Sequence, residues 1–118
     1  MSTQEIANRL VELCRKGEYE TCYKELFSEN ATSTEPDHTP PPQRVEGMEG
    51  IRKKGEMWNS MIEEMYGSSV GDPIAAGDNF ACAMMVDWKM KGQERSKLEE
   101  ICLYKVENGK VVSEQFIY

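Results

Sequence analysis

The sequence lacks the motifs that mark the most familiar nucleotide, metal and hydrolase sites. None of the patterns GxxxxGK(S/T), GxGxxG, GxSxG or HExxH occurs in its 118 residues. His38 is the only histidine, and the four cysteines contain no CxxC pair, so the spacing of a zinc site is absent too. We therefore expect neither a metal ion nor an organic cofactor.

Positive charge is also scarce. Fourteen Lys and Arg residues face 21 Asp and Glu residues, which gives a formal net charge of −7 and a pI near 4.8. Such a chain repels phosphate backbones and anionic lipid, so we expect it to bind neither nucleic acid nor a membrane. The densest basic run, Arg52-Lys53-Lys54, is interpreted as one solvated turn of a helix.

Long apolar runs are missing as well. No stretch approaches the length of a membrane span, and the first five residues carry neither a basic nor an apolar signal region. The four cysteines fall at apolar-periodic positions, which is typical of buried free thiols. These features predict a single domain over residues 1–118 in a reducing cytoplasm.

The first third of the chain predicts two helices. Ser2–Glu5 has the form of a capping box, and the apolar positions that follow have helical spacing until Gly17. A second apolar stripe runs from Tyr19 to Phe27, so the two segments read as a helical hairpin. A third helix is expected after Gly47, with Ile51, Trp58 and Ile62 on its inner face.

The remaining segments predict strands. Residues 31–35 read as a short strand that ends at Pro36, and residues 36–46 read as a proline-rich loop able to act as a lid. Extended segments follow over 64–76, 80–91, 97–107 and 111–118, and Asn108-Gly109 is a strong hairpin signal. On the last strand, alternation puts Val112 on the same side as Glu114. The order is two helices, a strand, a helix and a four-stranded antiparallel meander, an α+β fold whose sheet must curl around the helices.

This order resembles the nuclear-transport-factor-2-like superfamily, and within it the SnoaL-like, or polyketide cyclase-like, branch. The matching stretches are residues 26–32 (LFSENAT), 47–51 (GMEGI) and 108–112 (NGKVV). The resemblance implies a cone-shaped fold, with three N-terminal helices packed in a strongly curved, mostly antiparallel sheet. It also implies a ligand cavity between sheet and helices and a homodimer formed through the outer face of the sheet.

Three glutamates are candidate catalytic residues. Glu35 ends a strand before a proline, where the related ketosteroid isomerase carries its general base, and Glu114 lies where polyketide-cyclase relatives place an acid/base carboxylate. Glu100 joins them because it lies in an apolar row, where a carboxylate must be paired, protonated or hydrated, since an isolated buried charge is too costly. The positions that match the isomerase's two enolate donors are Leu10 and, on the sheet, Cys102 or its neighbourhood, so steroid isomerase activity in that form is not expected.

Apolar and aromatic positions on the inner faces of the third helix and the sheet are candidate ligand-binding residues, although a purely structural role in the core would produce the same pattern. They are Trp58, Met84, Val86, Trp88, Cys102, Tyr104, Phe116 and Tyr118.

Two functions remain open at this point. One is a cofactor-independent isomerase, cyclase or lyase acting on a small hydrophobic, ring-containing compound, with Glu35 or Glu114 taking a proton beside a carbonyl group and Tyr104 or Tyr118 donating to the enolate. The other is a non-catalytic module that binds a small ligand or pairs through its sheet. A loop histidine, His38, is a further acid/base candidate.

Overall fold

The structure, a computed structural model that describes residues 1–118, contains three helices. They are α1 (Thr3–Arg15), α2 (Tyr19–Leu26) and α3 (Met48–Met61). The capping box is confirmed, because Ser2 Oγ accepts from the Glu5 main-chain N–H while the Glu5 carboxylate accepts from that of Ser2. None of the helices is long and apolar enough to cross a membrane.

Seven strands form one sheet. They are β1 (Phe27–Thr34), β2 (Arg44–Glu46), β3 (Ile62–Val70), β4 (Ile74–Ala76), β5 (Asn79–Met90), β6 (Arg95–Glu107) and β7 (Lys110–Ile117). The order across the sheet is β2-β1-β7-β6-β5-β3, with β4 paired to β5. Only β1 and β7 run parallel, so the predicted α+β class and mostly antiparallel sheet are confirmed.

Several predicted boundaries differ from the structure. The α2 helix ends at Leu26, and Phe27 already belongs to β1, where it pairs with Val111. The proline-rich loop contains the short strand β2, which pairs with β1. The extended segment after α3 is interrupted at Gly71-Asp72-Pro73, where such a turn-forming sequence favours a bend, and it therefore forms the two strands β3 and β4.

The core lies between the helices and the concave face of the sheet. Its fully buried side chains include Ile6, Leu10 and Leu13 of α1, Ile51 of α3 and Phe80 of β5. The predicted buried, unpaired state of the four cysteines is confirmed.

The last strand corrects one predicted orientation. Val111, not Val112, is fully buried beside Val106. The pairing of β6 with β7 shifts register between Lys105 and Val106, which is a β-bulge and lets one extra residue pass before alternation resumes. Glu114 remains on the inner face as predicted.

Candidate functional site

Two adjacent spaces open between the helices and the sheet. The outer cavity has a volume of about 280 Å³ and is lined by Tyr19, Glu35, Trp58, Asn59, Ile62, Met65, Val86, Trp88, Leu98, Glu100, Phe116 and Tyr118. The inner chamber, of about 90 Å³, is lined by Leu10, Cys14, Tyr19, Cys22, Tyr23, Phe27, Met84, Tyr104, Glu114 and Phe116. Tyr19 and Phe116 belong to both walls.

Two tryptophans line the outer cavity. Trp58 comes from the last turns of α3 and Trp88 from β5, and their rings are nearly parallel, with centroids 6.3 Å apart and planes 6° apart. Both are only partly buried, so their surfaces remain accessible from the cavity. Flat apolar surfaces of this kind suit a ring-bearing ligand.

Glu35 is held in a buried network of hydrogen bonds. Lys54 Nζ lies 3.3 Å from Glu35 Oε1 and donates to Ser33 Oγ at 2.6 Å, while the Tyr118 hydroxyl donates to Glu35 Oε2 at 3.1 Å. The Glu35 and Lys54 side chains are 10% and 5% exposed, so this ion pair is not a surface contact. Both Glu35 oxygens therefore have a partner, and Tyr118, one of the two tyrosines predicted as enolate donors, donates its hydroxyl proton to Glu35.

Lys54 is buried, so the prediction that residues 52–54 form a solvated turn of a helix is wrong for this residue. Lys54 lies one turn after the buried Ile51 and one turn before Trp58, so it belongs to the inner face of α3. Its ammonium also lies 5.0 Å from the centroid of the Phe116 ring, within the range of a cation–π contact. Arg52 and Lys53 do face outward, where each pairs with a glutamate.

Glu100 lines the outer cavity. The pKa of Glu100 is raised from its usual 4.5 to about 7, mainly by burial and to a smaller extent by repulsion from Glu35. A weak hydrogen bond from Cys102 Sγ, at 3.6 Å, acts to lower this pKa. A group with this pKa is present in both protonation states near neutral pH, which is the condition for proton exchange with a ligand.

Glu114 lines the inner chamber and is 6% exposed. Burial raises its pKa from 4.5 to about 7, although hydrogen bonding to Ser33 and the charge of Lys54 act in the opposite direction. Its cross-strand partner is Tyr104 of β6, whose side chain lines the same chamber. The pKa of Tyr104 is held well above 10, mainly by burial and then by the electrostatic effect of nearby Cys102 and Glu114. Its hydroxyl therefore keeps its proton at neutral pH.

Most of the predicted ligand-binding residues line the space between helices and sheet, but they are divided between the outer cavity and the inner chamber. Trp58, Val86, Trp88, Phe116 and Tyr118 line the outer cavity, and Met84, Tyr104 and Phe116 line the inner chamber. Cys102 is the exception, because it is fully buried in the core and lines neither space.

The proline-rich loop approaches the site only at its rim. His38 Nε2 lies 3.0 Å from the main-chain oxygen of Tyr118, and their rings meet edge to face. No residue of 36–46 lines the outer cavity or the inner chamber.

Several residues of the site escaped sequence reasoning, namely Tyr19, Ser33, Lys54, Asn59 and Met65. The helical spacing of Ile51, Lys54 and Trp58 could have predicted that Lys54 lies on the inner face of α3. Tyr19 belongs to the apolar stripe of α2 and could have been predicted from it. Ser33 carried no signal of its own, because only its pairing with Glu114 on the parallel strand places it in the site.

Comparison with known proteins agrees with this architecture. The family described as "SnoaL-like domain" matches residues 1–118. A Mesorhizobium loti protein assigned as a SnoaL-like polyketide cyclase is 32% identical, with a TM-score of 0.92 and full coverage of both chains. No curated protein matches the chain.

More distant structures share the fold. A protein from Jannaschia sp. CCS1, also assigned as SnoaL-like polyketide cyclase, has a TM-score of 0.76 at 14% identity, covering 98% of this chain and 83% of its own. TerC, co-crystallised with polyporic acid, has a TM-score of 0.78 at 13% identity, covering 99% of this chain and 92% of its own.

Proposed function

Because the chain belongs to the family of SnoaL-like domains, we propose that it binds a small, ring-containing hydrophobic molecule in its cone and exchanges a proton with it through Glu114. The outer cavity takes the ring against Trp58 and Trp88, and the reacting end of the ligand enters the inner chamber. The observation that carries this proposal is Glu114, a buried carboxyl group with a pKa of about 7 that lines the inner chamber.

The chemistry follows from the two groups in the inner chamber. The Glu114 carboxylate accepts the proton of a C–H bond next to a carbonyl group, and the electron pair of that bond moves onto the carbonyl oxygen. The Tyr104 hydroxyl, which remains protonated, donates a hydrogen bond to this oxygen. This proton abstraction is the first step that the isomerase, cyclase and lyase outcomes share. The enolate then takes the proton back at another carbon (isomerase), adds to a second carbonyl carbon of the ligand whose oxygen takes the proton from Glu114 (cyclase), or expels a β-substituent that leaves with that proton (lyase).

Glu35 is assigned a positioning role instead. Its carboxylate is paired with Lys54 and accepts from Tyr118, so each of its oxygens already has a partner within the protein. The ion pair ties the end of β1 to α3 and thereby holds the wall that carries Ser33 and Trp58.

The test is deuterium exchange into a two-ring ketone, 2-tetralone, in D2O, with binding followed by tryptophan fluorescence. We expect the protein to accelerate exchange, and Glu114→Gln to slow the accelerated rate at least roughly tenfold while the fluorescence change persists. Glu99→Gln, an exposed neighbour of Glu100, is the control and should match the parent protein. Equal acceleration by Glu114→Gln and the parent protein would remove Glu114 from the reaction.

A non-catalytic binding module is the second candidate, and the Glu35–Lys54 ion pair favours it because one of the three predicted carboxylates is neutralised. Its distinguishing result in the same experiment is a fluorescence change with 2-tetralone and no acceleration of exchange by the parent protein.

We also propose that two copies pair through the convex face of the sheet. Ile101 and Ile117 are cross-strand partners there, and together with Leu103 they are 37–48% exposed, which is unusual for a row of large apolar side chains. We expect sedimentation velocity to detect a dimer and Ile101→Asp to weaken it at least roughly tenfold. The control is Lys105→Asp, on the same face at the end of β6, and a parent protein that stays monomeric at high concentration would contradict the proposal.

A further inference from the structure

The outer cavity combines negative charge with aromatic surface. Its 12 lining residues include two carboxylates, Glu35 and Glu100, and no lysine, arginine or histidine. Five of the 12 are aromatic: Tyr19, Trp58, Trp88, Phe116 and Tyr118. An aromatic surface alone would suffice to bind a neutral hydrocarbon. The carboxylates therefore indicate that the ligand also carries a group that interacts with negative charge.

The two carboxylates differ in how they are neutralised. Glu35 is paired with Lys54, whereas Glu100 forms no ion pair: the charge of Lys54 acts on it only weakly, and its one hydrogen bond comes from the thiol of Cys102. A thiol is a weak donor and does not compensate a charge. Burial and the nearby charge of Glu35 raise the pKa of Glu100 to about 7, which is the response of a carboxylate that lacks a counter-ion.

The aromatic faces, like Glu100, favour a positively charged ligand. The face of an indole or phenol ring carries negative electrostatic potential and attracts an ammonium group, and this attraction grows when water is excluded. The rings of Trp58 and Trp88 are parallel, and Phe116 and Tyr118 line the same cavity. Aromatic faces beside an unpaired carboxylate form the usual surroundings of a bound organic cation.

We propose that the ligand of the outer cavity is a small ring-bearing molecule with a protonated amine or quaternary ammonium group, held with its positive charge against Glu100 and the aromatic walls. This inference rests on the proposed function, because it concerns the same ligand, and it assigns Glu100 to charge recognition while Glu114 moves the proton.

The proposal implies a pH dependence of binding. An alkylammonium group stays charged below pH 9, whereas the Glu100 carboxylate forms as the pH rises through about 7. The affinity for the cation should therefore rise roughly tenfold from pH 6 to pH 8. The other ionisable groups that interact with Glu100 are Tyr19 of α2, Lys54 of α3, Glu35 after β1, Cys82 of β5, Cys102 of β6, Glu114 of β7 and Tyr118.

The experiment uses three probes that share one ring: phenethylamine, 2-phenylethanol and phenylacetate, which are cationic, neutral and anionic. The chain's only two tryptophans both line the outer cavity, so their fluorescence reports binding at this site. At pH 8 we expect phenethylamine to bind about tenfold more tightly than 2-phenylethanol, and phenylacetate to bind most weakly. Only phenethylamine should bind more tightly at pH 8 than at pH 6.

Glu100→Gln keeps the shape of the side chain and removes its charge, so it should abolish the pH dependence and most of the preference for the cation. The matched control is Glu99→Gln, whose side chain is exposed on the other face of the same strand and which should bind like the parent protein.

The possible failures are distinguishable. If 2-phenylethanol binds as tightly as phenethylamine, or if Glu100→Gln keeps the preference, the inference is wrong while the proposed ring-binding function stands. If none of the three probes changes the tryptophan fluorescence, both proposals are wrong.

Discussion

Replacing Lys54 with methionine is expected to lower the free energy of unfolding by about 3–5 kcal/mol, because it leaves a buried charge without its partner. The Glu35 residue is only 9% exposed, and Lys54 is the cation it contacts. The same substitution takes the ammonium donor away from Ser33, which is fully buried. In a chain of this length the loss corresponds to a fall in melting temperature of roughly 10–25 °C, measurable by thermal and urea denaturation.

Two further variants separate the ion pair from general effects of the substitution. Lys53→Met removes the adjacent charge, whose side chain is 72% exposed and pairs with Glu49 only at the surface, so it should change the stability by less than about 0.5 kcal/mol. Adding Glu35→Gln to Lys54→Met removes the stranded charge and should restore at least half of the loss. A Lys54→Met protein within 1 kcal/mol of the parent would mean that Glu35 finds water or another donor.

This ion pair also marks the limit of what local sequence patterns could predict. Residues 52–54 read as a solvated run because three adjacent charges usually face water. The run covers nearly a full turn, however, so one member must share the face of Ile51 and Trp58. Its partner Glu35 is 19 residues away, and only the packing of α3 against β1 brings the two together.

The helices and strands, by contrast, were largely predictable. Their apolar periods of 3.6 and 2 residues are set by the same burial that forms the core, so local pattern and tertiary structure agree. Alternation also put Glu100 and Glu114 on the inner face, where the structure has them.

Alternation does not predict depth along the cone or a bulge. Cys102 lies on the predicted face but far enough inside to be core, and Val112 was assigned the position that Val111 occupies because the β6–β7 register shifts. Both errors come from features set by neighbouring strands and not by the strand itself.

Glu114→Gln is expected to stabilise the protein at pH 8 by about 3 kcal/mol and to leave its stability nearly unchanged at pH 4.5. Burial raises the pKa of Glu114 from 4.5 in an unfolded chain to about 7 in the folded protein. The folded state therefore binds the proton more tightly than the unfolded state does. The stability associated with this group is complete below pH 4.5 and is lost as the pH rises through about 7.

Glutamine avoids this loss because it has nearly the shape of the protonated acid and does not ionise. Urea denaturation of both proteins between pH 4.5 and 8 should give two curves that coincide at the acid end and diverge toward pH 8. Glu99→Gln, with its exposed side chain, should follow the parent protein throughout. Parallel curves for Glu114→Gln and the parent would mean that Glu114 titrates as an ordinary carboxyl group, and it would then lack the near-neutral pKa that proton transfer in the inner chamber requires.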